Sequence, residues 1–174
     1  LGRYFTSFFD KINRECLKKP SKIIILDNLI TAGKEGKRIP NYKNITFKNH
    51  NVIEPYDINH PIDYIIHAAG IASPHYYRAY PLETLDVSIA GTKNFLELAK
   101  SAKSKFVFFS SSEIYGDPDP QKLPISEDYR GSVSCQGPRA CYDESKRLGE
   151  TLCYIYNNLY GIHTNTIRPF NVYG

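Results

Sequence analysis

The fold is decided by residues 105–113, which read Lys-Phe-Val-Phe-Phe-Ser-Ser-Ser-Glu. A short apolar run of this kind is typical of a parallel β-strand that is buried on both faces. Hydroxyl and carboxyl groups follow it at once, from Ser110 to Glu113. In a parallel sheet covered by helices, ligands bind beyond the carboxyl ends of the strands. The stretch therefore predicts a buried strand that carries polar side chains to a ligand-binding edge.

The rest of the chain alternates between strand and helix patterns. Apolar runs predict four further strands, at 22–26, 45–48, 63–67 and 162–168. Apolar residues at steps of three and four predict helices at 3–18, 82–103 and 139–160. Segments rich in Gly, Pro and polar residues predict loops at 31–44 and 116–137. The alternation predicts an α/β fold, a doubly wound parallel sheet of the Rossmann-like type, in one domain over residues 1–174.

Polar or small residues follow four of these strands. They are Asp27, Ala68 to Gly70, Ser110 to Glu113, and Asn171. Because the carboxyl ends of parallel strands meet at one edge of a sheet, we expect these residues to share a site. The agreement of four strands is a stronger signal than any single motif.

Composition excludes several classes of function. The chain is 41% hydrophobic, and its formal charge of +4 is small and scattered, so we expect a globular domain with no nucleic-acid partner. No apolar run approaches the roughly 18 residues of a membrane-spanning helix, so we expect no membrane partner. The four cysteines form no C-x-x-C pair and have no His at zinc-finger spacing. They predict free thiols in a reducing cytoplasm and no metal site.

Tyr142 and Lys146 form a Tyr-x-x-x-Lys spacing. Among 14 tyrosines such a spacing arises readily by chance, so a pair on a helix surface is the alternative interpretation. Residues four apart do share a helix face, and a nearby ammonium lowers the pKa of a phenol from its usual value of about 10. With the hydroxyl of Ser111, the pair could take a proton from a sugar alcohol while hydride leaves its carbon.

Residues 137–147, Gly-Pro-Arg-Ala-Cys-Tyr-Asp-Glu-Ser-Lys-Arg, closely resemble the active-site helix of the UDP-glucuronate decarboxylases (UDP-xylose synthases). These are extended short-chain dehydrogenase/reductases within the NAD-dependent nucleotide-sugar epimerase/dehydratase family. Other segments fit the same family, namely Asp27-Asn28, His67-Ala68-Ala69, Ser73-Pro74-His75-Tyr76, Ser110 to Pro118, and Arg168 to Gly174. The likeness covers nearly the whole chain.

The resemblance assigns catalytic roles. It implies that Ser111 binds the sugar 4-hydroxyl, that Tyr142 is the base and that Lys146 is its partner. Glu113 matches the glutamate of the decarboxylases, although a surface carboxylate at the end of a strand is the alternative. Ser112 stands where 4,6-dehydratases carry an acidic Asp, which disfavours elimination of water. Ser112 and Glu113 would steer the substrate carboxylate or manage protons.

The resemblance also implies an NAD site. Asp27 would bind the ribose hydroxyls of NAD and repel the 2′-phosphate of NADP, whereas an Asp-Asn turn is the alternative. Gly2 would be the third glycine of a G-x-x-G-x-x-G turn. The other expected cofactor residues are Asn28, Asn51, Val52, Ala68, Ala69, Gly70, Ser88, Tyr142, Lys146 and Pro169. The expected substrate residues are Ser73, Arg139 and Asn171.

Three positions depart from the family, at Asn51, Ala72 and Ser88, where relatives carry Asp, Lys or Asn. We interpret His67 as a packed, structurally hydrogen-bonded residue, and Tyr76, Tyr77 and Tyr80 as packing and loop residues. The chain contains no Met. By the resemblance, we expect it to lack the first strand and the smaller C-terminal substrate domain of the family. We therefore expect an incomplete fold, an excerpt of a longer protein, that is inactive by itself.

The sequence thus predicts an enzyme that converts UDP-glucuronate to UDP-xylose through a 4-keto intermediate, with NAD as cofactor and a nucleotide sugar as substrate. A nucleotide-sugar 4-epimerase or 4,6-dehydratase, with the same Ser111, Tyr142 and Lys146, is the first alternative. A non-catalytic NAD-binding relative is the second. Relatives dimerise through a four-helix bundle, so we expect a homodimer through helices 82–103 and 139–160.

Overall fold

A computed structural model of the chain describes residues 2–33 and 41–172. The chain divides into two compact units, Leu1–Val52 and Ile53–Gly174. The predicted loop at 31–44 lies partly outside the described residues. Within those residues, no helix is both long and apolar enough to cross a bilayer.

The first unit consists of one helix and two parallel strands among its described residues. They are α1 (Gly2–Glu15), β1 (Ile23–Asp27) and β2 (Ile45–Asn49), with Ile23 opposite Ile45 and Asp27 opposite Asn49. The side-chain amide of Asn13 donates to Ser21 O at 2.9 Å and accepts from Ser21 N at 2.8 Å. This buried amide fixes the connection from α1 to β1.

The second unit contains a parallel sheet in the order β3-β4-β5, so β4 is the central strand. The strands are β3 (Tyr64–His67), β4 (Lys105–Phe109) and β5 (Thr164–Ile167). Its α-helices are α2 (Pro74–Ala79), α3 (Pro81–Asp86), α4 (Thr92–Ala102) and α5 (Ala140–Tyr160). A π-helical turn spans Val87–Gly91, and short 3-10 helices span Ser112–Tyr115 and Pro120–Lys122.

The core of the second unit forms where helices pack on β4. Phe106 and Phe108 of β4 are fully buried, as is Leu96 of α4. Gly149 of α5 lies directly against the ring of Phe108, and a methyl group there would overlap that ring. The glycine therefore sets how closely α5 approaches the central strand.

The parallel strands and the alternation of strands with helices confirm the predicted fold class. The single helix predicted at 82–103 is wrong in detail, because it is divided into α3, the π-helical turn and α4. Pro81 begins α3, and proline suits the first turn of a helix. Helix α2 was not predicted, since six residues are too few to show a helical period.

Candidate active site

The site is built at the carboxyl ends of β4 and β5. Ser110 N donates to Ile167 O at 2.8 Å, and Ser112 N donates to Pro169 O at 3.0 Å. These bonds continue the pairing of the two strands on either side of Ser111, which is 7% exposed. The backbone at Ser111 is therefore held from both sides.

Ser111 also begins the 3-10 helix that carries the next two candidate residues. Its backbone is extended, and its Oγ accepts from Glu113 N at 3.3 Å. A serine in this position satisfies an N–H group that the first turn leaves unpaired. The cap fixes Ser112 and Glu113 relative to the hydroxyl of Ser111.

Helix α5 presents one buried face to this end of β4. Tyr142, Ser145, Lys146 and Gly149 are buried, at steps of three and four residues. The predicted helix at 139–160 is confirmed to within one residue, and the shared face of Tyr142 and Lys146 is confirmed with it.

Tyr142 lies against Ser111 and Tyr77. The Tyr142 and Tyr77 rings are stacked, with centroids 5.3 Å apart and planes 13° apart. Burial raises the pKa of the Tyr142 phenol above its ordinary value, and a hydrogen bond with the Ser111 side chain acts in the opposite direction. The expectation of a lowered phenol pKa is thus wrong for the chain by itself, because burial is the largest effect.

Lys146 is buried at the end of β4. Its Nζ donates to Phe109 O at 2.8 Å and lies 5.7 Å from the ring centroid of Tyr142. Burial lowers the pKa of this ammonium to about 8. An added methyl group at Gly70, beyond β3, would lie 3.2 Å from Nζ, so the end of β3 also closes on this residue.

Charged groups surround the start of α5. The guanidinium of Arg139 forms an ion pair with Glu113, and its Nε lies 3.8 Å from Asp143 Oδ2. Asp143 Oδ1 is buried and has no hydrogen-bond partner among the described residues. Burial raises the pKa of Asp143, and the charge of Arg139 opposes this shift. Glu113 is therefore held beside a cation.

His67 ends β3 inside an aromatic cage. Its ring stacks on Phe95 and Phe108 at centroid distances of 5.8 Å and 6.0 Å and is hydrogen-bonded to the Val87 backbone. Burial lowers its pKa to about 3, so the ring is neutral at physiological pH. The interpretation of His67 as a packed residue is confirmed, whereas its Nε2 is buried without a hydrogen-bond partner among the described residues. The contact between His67 and the Val87 backbone links β3 to the π-helical turn.

The structure brings together only part of the predicted set. Ser111, Glu113, Tyr142 and Lys146 join Gly70, Arg139 and Pro169 through these contacts. Ser88 is buried in the π-helical turn, Ser73 precedes α2, and Asn171 is exposed near the end of the chain. The other expected cofactor residues belong to the first unit, which is a separate compact unit. They are Gly2, Asp27, Asn28, Asn51 and Val52.

Asp27 and Asn28 form two successive side-chain turns. Asp27 Oδ1 accepts from Leu29 N at 2.7 Å, and Asn28 Oδ1 accepts from Ile30 N at 3.1 Å. Leu29 has a φ of 57°, which such turns accommodate. One carboxylate oxygen of Asp27 is thus engaged in a turn.

Three residues at the site were not predicted to act there. Tyr77 was interpreted as a packing and loop residue; its packing role is confirmed, but it lies in α2. Asp143 neighbours Tyr142 in sequence, which was the available signal. Arg168 forms two hydrogen bonds with Glu150, which stands four residues after Lys146 on α5. No local pattern indicated that pair, because its members are 18 residues apart in the chain.

The profile of the NAD dependent epimerase/dehydratase family matches residues 11–174. UDP-glucuronic acid decarboxylase 1 of Danio rerio is 40% identical over 154 residues, which cover 88% of this chain and 36% of that protein. UDP-glucuronic acid decarboxylase 6 of Arabidopsis thaliana is 37% identical over 155 residues, which cover 88% of this chain and 44% of that protein.

Among solved structures, the chain is similar to a UDP-N-acetylglucosamine 4-epimerase from Methanobrevibacter ruminantium in complex with UDP-N-acetylmuramic acid. The TM-score is 0.75 at 25% identity, over 95% of this chain and 52% of that chain. The chain therefore spans between about a third and a half of the proteins it matches. The family description agrees with the predicted NAD cofactor. By the match over residues 11–174, the chain belongs to the NAD dependent epimerase/dehydratase family.

Proposed function

We propose that the whole protein is an NAD-dependent UDP-glucuronate decarboxylase, which releases carbon dioxide and UDP-xylose through a 4-keto intermediate. The observation that carries the proposal is geometric: Tyr142 and Lys146 share one buried face of α5, and Lys146 Nζ donates to Phe109 O, just before the buried Ser111. The similarity to UDP-glucuronic acid decarboxylases, at 40% and 37% identity, supports this branch of the family.

The surroundings of Lys146 fit a nicotinamide cofactor. An ammonium has three N–H groups, and the bond to Phe109 O uses one of them. The others can donate to ribose hydroxyl groups, and Gly70 leaves the space beside Nζ without a side chain. NAD, when bound, accepts hydride from C4 of the sugar and later returns it. Asp27 keeps one carboxylate oxygen outside its turn for a ribose hydroxyl.

Tyr142 takes the proton of the C4 hydroxyl, with Ser111 as the relay. Burial favours the neutral phenol, so proton transfer needs a positive charge close to the ring. Lys146 supplies that charge from 5.7 Å, inside the protein where screening is weak. After the transfer, the Tyr142 hydroxyl is a donor that faces the new C4 carbonyl oxygen.

The oxidised sugar is a β-keto acid, because its carboxyl carbon C6 is attached to C5, next to the C4 carbonyl. When the C5–C6 bond breaks, carbon dioxide leaves and its electron pair forms an enolate with the C4 oxygen. The Ser111 and Tyr142 hydroxyls donate to that oxygen and stabilise its charge. C5 then takes a proton, and Tyr142 gives its proton back to the C4 oxygen when the alcohol is restored.

Residues 112, 113 and 139 determine the fate of the oxidised sugar. Ser112 has no acidic proton for a leaving hydroxyl group, so elimination of water is disfavoured. Arg139 is a half-exposed cation that can bind the substrate carboxylate, and Glu113 is its present partner. We infer that Ser112 and Glu113 hold the carboxylate or deliver the proton to C5.

The test supplies the whole protein with NAD and UDP-glucuronate. We expect stoichiometric carbon dioxide and a UDP-pentose, with no net consumption of NAD. Absence of both products would reject the decarboxylase.

A 4-epimerase is the second candidate, since the chain resembles a UDP-N-acetylglucosamine 4-epimerase with a TM-score of 0.75. It would use the same Ser111, Tyr142 and Lys146 and differ after the 4-keto stage. Incubation with UDP-glucose or dTDP-glucose, followed by mass and sugar analysis, separates an epimer from a dehydrated product.

We also propose a homodimer through α5 and the segment 82–103, which contains α3, the π-helical turn and α4. Leu148, Ile155 and Leu159 of α5 are 38%, 39% and 69% exposed and lie along one side of the helix. Sedimentation of the whole protein should give a dimer, and Leu159→Glu should weaken it. A monomeric wild type would contradict the proposal. The cytoplasmic location stays a prediction.

A further inference from the structure

Arg168 connects four segments around the candidate site. It follows β5, and its Nε and Nη2 donate to the two carboxylate oxygens of Glu150 at 2.9 Å and 2.7 Å. Its Nη1 donates to the hydroxyl of Tyr115 at 2.8 Å and to Glu127 O at 2.6 Å. The guanidinium carbon also lies 5.2 Å from the Tyr115 ring centroid.

These contacts hold the far end of the segment that carries the candidate catalytic residues. Tyr115 is 4% exposed and ends the 3-10 helix that begins after Ser111. The start of this helix is held by the backbone bond from Ser112 N to Pro169 O. Two neighbouring residues, 168 and 169, therefore fix both ends of the helix that carries Ser112 and Glu113.

The remaining two contacts fix the surroundings of the same segment. Glu150 is one turn beyond Lys146, so the fork of Arg168 ties α5 to the end of β5 at that turn. Glu127 lies in the 116–137 loop, which also pairs with itself between Asp117 and Ser132. A single side chain thus sets the position of the loop, the 3-10 helix and α5 relative to one another.

We propose that Arg168 is a positioning residue for the C4 chemistry: it holds the Ser111–Tyr115 segment against α5 so that Ser111 and Glu113 keep their places beside Tyr142. The proposal rests on the proposed function. Lysine cannot replace the arginine, because these contacts need the planar, forked guanidinium. A single ammonium cannot donate to both Glu150 oxygens and to Tyr115 at once.

The test compares Arg168→Lys with wild type in the whole protein. Arg14→Lys is the matched control, since Arg14 forms an exposed pair with Asp10 at 2.8 Å on α1. We expect Arg168→Lys to lower kcat about tenfold or more with KM changed less than about threefold, because small displacements of reacting groups cost that much. Hydrogen exchange of residues 111–116 should accelerate, and the control should match wild type in both readouts.

A role in stability alone would reduce the folded fraction but leave kcat per folded molecule unchanged. Unchanged kcat in folded enzyme, or unchanged exchange in residues 111–116, overturns the proposal. If Arg168→Lys does not fold, Glu150→Gln replaces it, with the same changes expected at smaller size. If the wild type releases no carbon dioxide, the proposed decarboxylase activity is rejected. The role of Arg168 in holding residues 111–116 can still be tested, because hydrogen exchange requires no substrate.

Discussion

The carboxyl ends of β4 and β1 have similar sequences and different local structures. Each is an apolar run followed by polar residues. After β4, Ser111 is buried between backbone bonds to β5 and lies against Tyr142. At the end of β1, the side chains of Asp27 and Asn28 accept from amides only two residues further on, while Asp27 O accepts from His50 N at 3.2 Å. The backbone is thus paired at both ends, but the side chains form long-range contacts at the first end and local turns at the second. Changes of side chain at the first end should therefore disturb chemistry, and those at the second should act locally.

The largest expected effect comes from removal of one hydroxyl at the β4 end. Tyr142→Phe should lower carbon dioxide release by about 10²- to 10⁴-fold, because the proton of the C4 hydroxyl loses its acceptor. Tyr154→Phe is the control, since Tyr154 is 70% exposed on the same helix. Equal rates for Tyr142→Phe and wild type would show that the β4 end does not hold the base.

Lys146 should make stability depend on pH in the cofactor-free protein. The pKa of Lys146 is about 8 in the folded protein, whereas its ordinary value, expected in the unfolded chain, is 10.5. Between these pH values the unfolded chain therefore binds more protons than the folded protein. The contribution of Lys146 to the free energy of unfolding should therefore rise with pH across this window, by at most about 3 kcal/mol. Burial raises the pKa of Cys153 from 9.0 to about 12, which acts in the opposite direction above pH 9, so the measurement is the difference between wild type and Lys146→Met in denaturant titrations. That difference should grow with pH, and a difference that does not change with pH would contradict the assignment to Lys146.

Gly149→Ala tests how tightly α5 is packed on β4. A methyl group there overlaps the Phe108 ring, so we expect a loss of about 1–3 kcal/mol in the free energy of unfolding. Gly70→Ala should cost less, because the atom it meets is the end of a flexible lysine, 3.2 Å away. Equal losses for the two variants in thermal or chemical denaturation would argue against close packing at Gly149.

The smallest effect is expected at the β1 end. Asp27→Asn retains an oxygen that can accept from Leu29 N, so stability should change by less than about 0.5 kcal/mol. If Asp27 binds ribose, the Kd for NAD should still rise about ten- to hundredfold, because lost charge-assisted hydrogen bonds are worth roughly 1.5–3 kcal/mol. Calorimetry with NAD and NADP measures this. An unchanged Kd would leave Asp27 as a turn residue.

The features that could be predicted from the sequence depend on local patterns. The strand at 105–109 and the helix carrying Tyr142 and Lys146 follow from apolar runs and three- to four-residue steps, and both lie where expected. The interruption at Val87–Gly91 could not be predicted, because the helical pattern of apolar residues over 82–103 continues through it. The raised pKa of Tyr142 likewise reflects burial, which a spacing of residues does not reveal.

The Arg168 contacts show the same limit. Its partners are 18, 41 and 53 residues away in the chain, so no local pattern joins them. Spacing and family resemblance single out the candidate residues for the chemistry. The residues that position them depend on tertiary packing.

The most direct test of the central claim is a rapid-mixing experiment on the whole protein loaded with NAD. Absorbance of reduced nicotinamide should appear after UDP-glucuronate is added and decay as carbon dioxide is released, and Ser111→Ala should slow its appearance. Carbon dioxide release without any reduced nicotinamide, or an unchanged rate of its appearance in Ser111→Ala, would contradict a C4 oxidation carried out by Ser111, Tyr142 and Lys146.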